Sequence, residues 1–302
     1  MINRLHEGDA REVIDQLEDN SVQLIITSPP YWGLRDYENH PNQLGQEETP
    51  HDYIDELILF FEKCKRVLKD DGVLFVNLAD TYYGSNNGKG YQPKDNDKQV
   101  SNKGSGKSFL TYKDKSIRRK SLTGIPQRFM VKMIDHGWIC RNEIIWKKNN
   151  VMPSAVKDRF TVEHENIYMF SKNEYYKFHQ LKEKMKTKDT SNPRGSKGCS
   201  TPQSGRRHKC KQNKLYRNVR SVWEVNQQPL RIEHYATFPE KLATRMILCG
   251  SDEGDVVLDP FMGSGTTAKV AVRYNRNFIG IELVRRYIEL EMERIDELFK
   301  ET

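Results

Sequence analysis

Apolar residues cluster in short runs separated by polar stretches. Val22 to Ile26, Val73 to Leu78 and Asp255 to Phe261 are each dominated by Val, Ile, Leu and Phe rather than alternating, and Asn277 to Glu282 reads as the strand after the last of them. Runs of this length and composition predict strands buried on both faces of a parallel sheet. Other stretches carry the helical period. Val13, Ile14 and Leu17 mark one face within 10–18. Tyr53, Leu57, Phe60, Phe61, Cys64 and Leu68 mark a face of a helix from His51 to Lys69, with Asp70, Asp71 and Gly72 expected to end it. Further helices are expected from Ile125 to His136, from Pro239 to Cys249 with the proline in the first turn, and from Thr266 to Tyr274. A closing helix carries Val284, Tyr287, Ile288, Met292, Ile295, Leu298 and Phe299. Arg4 to Asp9 and Ser221 to Val225 read as short strands, and Trp138 to Trp146 with Glu163 to Phe170 as an antiparallel pair. The pattern is that of one large α/β domain with an appendage, with no internal repeat.

Two stretches lack any hydrophobic period. Residues 84–121 hold ten Lys/Arg against three acids, and residues 179–220 thirteen against two. The rest of the chain has 26 basic and 37 acidic residues, so the overall +7 comes from two basic segments on a slightly acidic body. Such a distribution is the electrostatic footprint of a nucleic-acid binder, although solvated basic loops have the same composition. Lys103, Lys107, Arg118 and Arg119 in the first segment and Arg206, Arg207 and Lys209 in the second are candidate phosphate contacts. No apolar run is long enough to cross a membrane, and the N-terminus has no apolar signal core. Five scattered cysteines without a CxxC pair fit reduced thiols in a cytoplasm, and no metal site is expected. Cys199, His208 and Cys210 match no zinc spacing.

Candidate chemistry gathers at strand ends. Thr27-Ser28-Pro29-Pro30-Tyr31-Trp32 follows the first buried run. Two prolines stop the ladder and stiffen the backbone where open α/β sheets bind ligands. A hydroxyl (Ser28), the Pro29 carbonyl and the Tyr31 ring are thereby presented together, while Trp32 reads as core. Far along the chain, Asp259, Pro260, Phe261, Met262, Gly263, Ser264, Gly265, Thr266 and Thr267 form a strand, glycine turn and helix start. Glycines let a ligand approach the backbone, and the helix start offers unpaired N–H groups. Glu282 ends the next strand, where a carboxylate suits the two hydroxyls of a ribose. The turn is not the six-residue dinucleotide fingerprint, and Phe261 could cover an adenosine, which favours a single nucleoside.

The Asp259–Thr267 and Thr27–Trp32 segments together resemble the S-adenosylmethionine-dependent DNA amino-methyltransferases. His234 to Leu242 resembles that family's segment closing over the methionine end of the cofactor, with Thr237, Phe238 and Pro239 implied as contacts. Asp9, after Gly8, resembles the acidic position at the adenine ring, and Ile144 to Lys147 and His164 to Tyr168 resemble further family strands. The resemblance implies catalytic roles for Ser28, Pro29, Pro30 and Tyr31. It implies cofactor contacts at Asp9, Thr27, Asp259, Pro260, Phe261, Gly263, Ser264, Gly265, Thr266, Thr267 and Glu282. The catalytic segment precedes the cofactor segment, the order of the beta class, a circular permutation. A Rossmann-like, mostly parallel sheet is implied. Residues 1–170 would form its catalytic part, 171–220 a target-recognition region and 221–302 its cofactor-binding part.

The implied reaction is direct methyl transfer to an exocyclic base amine in double-stranded DNA after base flipping. Ser28 in place of an acid before Pro29 points to cytosine N4, with adenine N6 as the rival within the same fold. An RNA or protein amide methyltransferase is more distant, since such relatives tend to carry Asn before Pro-Pro-Tyr. A non-catalytic DNA-binding regulator is the remaining alternative. Carbon-5 chemistry needs a cysteine nucleophile and its Pro-Cys dipeptide, which this chain lacks. A bacterial, archaeal or phage setting, with a restriction endonuclease encoded separately and a monomer or dimer, completes the expectation.

Overall fold

The computed structural model describes residues 3–34, 40–84, 116–151, 156–184, 216–227, 238–285 and 288. Through the first half of the chain the elements are β1 (Arg4–Glu7), α1 (Ala10–Asp15), β2 (Val22–Thr27), α2 (Pro50–Val67), β3 (Leu68–Leu78), α3 (Ile125–Asp135), β4 (Ile139–Lys147) and β5 (His164–Ser171). Then come β6 (Lys182–Lys184), β7 (Tyr216–Asn218), β8 (Val222–Glu224), α4 (Glu240–Gly250), β9 (Val256–Asp259), α5 (Thr266–Arg273) and β10 (Asn277–Glu282). The chain divides into two units: 1–179 with 221–302, and 180–220.

The larger unit is built on an eight-stranded sheet ordered β1-β10-β9-β2-β3-β5-β4-β8. Every neighbouring pair is parallel except those made by β5, which runs against both β3 and β4. The expected mostly parallel sheet with an antiparallel pair is what forms. The first strand of the chain pairs with the last described one, from Arg4 beside Ile279 to Glu7 beside Glu282. The sheet is thus continuous across the permuted chain order.

Alternate strand residues face opposite helical layers. Val22, Ile25, Leu74, Val76, Tyr168, Phe170, Leu258 and Ile279 join one core with α1, α2 and α3. Phe60, Phe61, Phe129, Phe170 and Trp138 interlock there, with ring centroids 5.3–6.3 Å apart. On the opposite face α4 meets Leu24 so closely that a Cβ at Gly250 would lie 2.8 Å from it.

Two boundaries differ from the pattern-based expectation. Helix α2 ends at Val67, not at Asp70-Asp71-Gly72, because Leu68 turns extended (φ −70°, ψ 133°) and pairs with Val22. Lys69 to Gly72 then form an irregularity inside β3, where Asp71 accepts from the Gln23 side chain. Pro239 precedes α4 as its N-cap instead of lying in the first turn. The closing helix lies almost wholly outside the described residues. No helix among the described residues is long and apolar enough to cross a membrane.

In the smaller unit, β6 and β7 pair antiparallel from Lys182 beside Asn218 to Lys184 beside Tyr216, tied by Arg217 to Glu183 at 2.8 Å. Arg206, Arg207 and Lys209 lie outside the described residues, as do Lys103, Lys107 and Thr237.

Candidate active site

The carboxyl ends of β1, β10, β9, β2 and β3 border one cavity, and the sheet's connections diverge there: α5 leads from β9 to β10, and α2 from β2 to β3. Open α/β sheets bind ligands at such a switch point. Ser28, Pro29, Pro30 and Tyr31 line the cavity beside Asp9, Phe238, Asp259, Pro260, Phe261, Gly263, Ser264, Thr266, Thr267 and Glu282. Thr27 lines it too, buried at the end of β2. Gly265 is the N-cap of α5, at φ +70°. Pro239 is buried. Arg118 and Arg119 are exposed in the segment leading to α3.

The Pro-Pro segment is held from behind. Tyr53 on α2 donates to the Pro30 carbonyl at 2.8 Å. Trp32 is buried, donates to the Glu47 carbonyl at 2.9 Å and stacks with Tyr83, which fits its reading as core. The Tyr31 hydroxyl points into a buried polar cluster. It donates to Glu165 Oε2 at 2.8 Å and accepts from Asn77 Nδ2 at 2.7 Å. Burial, then the neighbouring Glu165 charge, pushes its phenol well above the usual tyrosine range. Asn77, Trp146 and Glu165 also line the cavity, and sequence reasoning assigned them no role. The available signals were a lone amide inside the apolar run of β3 and an acid near the start of β5.

On the other side, Asp259 stabilises the glycine turn, accepting from Thr267 Oγ1 at 2.6 Å and from the Phe261 N–H at 3.2 Å. Burial pushes its carboxyl up to about 7, against these hydrogen bonds, which lower it. The folded protein therefore holds this proton more tightly than an unfolded chain titrating near 3.8, so ionisation in that window costs folded-state stability. The melting temperature of the cofactor-free protein is expected to fall across this pH range. Asp259→Asn should flatten part of the fall in a thermal melt series; an unchanged slope contradicts this origin.

Glu282 is nearly buried, and its oxygens accept one backbone N–H each, from Gly263 at 3.1 Å and Val284 at 3.0 Å. Burial raises its pKa, opposed by these N–H groups. Gly263 sits at φ +56°, and a Cβ there would meet only the Phe261 carbonyl, 3.9 Å away. Phe261 packs on Phe60 at 5.0 Å. Asp9 caps α1 through the Arg11 N–H and holds the Arg11 guanidinium at 2.7 Å; burial raises its pKa, but Arg11 outweighs that and the net shift is downward.

A Rossmann-like sheet with a glycine turn and an acid at the next strand end defines the nucleoside-binding half of a methyltransferase. A family model described as DNA methylase, for the N6/N4 methyltransferases, matches residues 22–293. The chain belongs to this family and is a beta-class DNA amino-methyltransferase dependent on S-adenosylmethionine. It is 38% identical over 290 residues to the type II methyltransferase M.SmaI of Serratia marcescens, covering 95% of this chain and 89% of that one. It is 37% identical over 295 residues to M.Cfr9I of Citrobacter freundii, covering 96% and 87%. Among solved structures, TTHA0409 of Thermus thermophilus complexed with S-adenosyl-L-methionine superposes with TM-score 0.58 at 28% identity, covering 98% of this chain and 95% of that one. The cytosine-N4-specific PvuII DNA methyltransferase shares the fold, with TM-score 0.64 at 20% identity over 99% and 92% of the chains.

The residues present fit the cofactor. Gly263 leaves a cradle that a side chain would fill, and Glu282 is already fixed by two N–H groups with lone pairs remaining for hydroxyls.

Proposed function

We propose that this chain methylates the exocyclic N4 amine of cytosine within one short double-stranded DNA sequence, as the modification partner of a separately encoded endonuclease. The observation that carries the reading is Ser28, a neutral hydroxyl on the cavity wall whose own hydrogen is directed to Tyr31 at 3.2 Å. One lone pair faces Asn77 Nδ2 at 3.4 Å, and the other is left for an amine that donates. The cytosine-N4-specific PvuII enzyme shares the fold, and the two type II relatives span nearly the whole chain, which supports the setting.

Bound S-adenosylmethionine supplies a methyl group on a sulfonium leaving group. Glu282 would take the ribose hydroxyls and the 263–265 turn would let the nucleoside approach the backbone. Asp9 would lie at the adenine, and Phe238 and Pro239 at the methionine end. A base amine is a poor nucleophile because its lone pair is delocalised into the ring. Ser28 Oγ and the Pro29 carbonyl would accept its hydrogens and localise that pair as the bond forms. The Tyr31 ring would stack on the flipped base. The basic segments would hold the duplex, with 179–220 as the specificity element. Residues 1–170 and 221–302 would be the catalytic and cofactor parts of one domain.

Sequencing that reports modified bases, on DNA from cells expressing the chain, tests the reading. Every copy of one short sequence is expected to carry modification at a cytosine. Unmodified DNA, or modification without a common sequence, overturns it.

A further inference from the structure

Ser28 is the first member of a line of hydrogen bonds that leaves the cavity and ends on a carboxylate. Its hydroxyl donates to Tyr31 Oη at 3.2 Å, and the Tyr31 hydroxyl donates to Glu165 Oε2 at 2.8 Å. The order is set by chemistry. A carboxylate only accepts, so the single Tyr31 hydrogen goes to Glu165. Tyr31 Oη then accepts from Asn77 Nδ2 at 2.7 Å and from Ser28. Asn77 Nδ2 also donates to Glu165 Oε2 at 2.8 Å and lies 3.4 Å from Ser28 Oγ. The Glu165 carboxylate is fixed on its other oxygen by the Lys148 ammonium, which sits 4.3 Å over the Trp146 ring. The Glu165 and Lys148 side chains are only 12% and 9% exposed, so the pair is shielded from solvent and keeps its partners. Three adjacent strands, β3, β5 and β4, supply Asn77, Glu165 and Trp146, and Lys148 follows β4 directly.

We infer that Glu165 is a positioning residue for methyl transfer, acting through Tyr31 to make Ser28 an obligate acceptor and to receive the proton the target amine gives up. This rests on the proposed role of Ser28. As the N–CH3 bond forms and the sulfonium bond breaks, the amine nitrogen becomes cationic and one N–H bond must break. That proton forms an O–H bond on Ser28 Oγ while the original Ser28 proton passes to Tyr31 Oη and the Tyr31 proton to Glu165 Oε2. Ser28 and Tyr31 end neutral, as they began, and Glu165 ends as the neutral acid, later exchanging its proton with water. Tyr31 thereby has two separable parts: a ring at the cavity wall and a hydroxyl in the relay.

Single-turnover methylation at saturating S-adenosylmethionine and duplex DNA tests this with Tyr31→Phe, Glu165→Gln and Ser28→Ala. Tyr31→Phe keeps the ring and removes the relay. It is expected to lower the chemical rate about 10²-fold, the lower end of the usual range for a positioned proton acceptor, with cofactor and DNA affinities unchanged. Glu165→Gln should do the same. It leaves Lys148 without its counter-charge, so Tyr31→Phe remains the decisive variant should the glutamine protein fold poorly. If Ser28→Ala is slow while Tyr31→Phe reacts at the wild-type rate, the relay is overturned and the role of Ser28 stands. If all three react at the wild-type rate, both fall.

Discussion

Ser28→Ala is expected to slow methyl transfer by roughly 10²-fold, the scale of removing one positioned group that interacts with the reacting atoms. Cofactor affinity should hardly move, because the groups proposed for the cofactor lie on other elements: Glu282 accepts from the Gly263 N–H, and Asp259 from the Phe261 N–H and the Thr267 hydroxyl. The substitution should also be mild for the fold. Ser28 is only partly buried, and Tyr31 keeps its bonds to Asn77 and Glu165. Single-turnover kinetics beside calorimetric titration of S-adenosylmethionine separates the two quantities. A wild-type rate in the folded variant removes Ser28 from the chemistry.

Cofactor binding should respond most to the glycine turn and its acid. Glu282→Ala removes the acceptor proposed for the ribose and at once strands the Gly263 and Val284 N–H groups. Hydrogen bonds to a charged group contribute about 1.5–3 kcal/mol each, so a loss of roughly 10- to 100-fold in affinity is expected. Gly263→Val acts twice. A β-branched residue at φ +56° is strained by about 1–3 kcal/mol, and its side chain would enter the open cradle. Calorimetry on both folded variants checks this; unchanged affinity in both rules out the site.

The fold was legible because buried parallel strands are written as continuous apolar runs. Val22–Thr27 and the Val73–Leu78 part of β3 needed no partner to be recognised. The end of α2 was not legible. Leu68 continues the helical spacing from Cys64, and Asp-Asp-Gly resembles a helix stop, yet pairing with Val22 across the sheet decides the boundary. Tertiary pairing overrode local propensity there. At the site, Ser28, Tyr31, the glycine turn and Glu282 could be named because each motif is contiguous or one strand apart. The Asn77–Tyr31–Glu165–Lys148 cluster could not. Its members are spread over 31–165 of the chain without a spacing rule, and only the β2-β3-β5-β4 order brings them together. Asn77 and Glu165 each look like an ordinary polar interruption of a strand until the neighbouring strand is known. The basic segments were legible as charge alone, since specificity depends on which side chains reach base edges.

Base identity is the sharpest point of the account, and Ser28 carries it. A neutral hydroxyl before Pro29 avoids the cost of desolvating a carboxylate beside the base, and here it is oriented to accept. The direct measurement is mass spectrometry of nucleosides from duplex DNA methylated in vitro by the purified protein with S-adenosylmethionine. N4-methylcytosine is the predicted product, and N6-methyladenine alone would contradict the assignment.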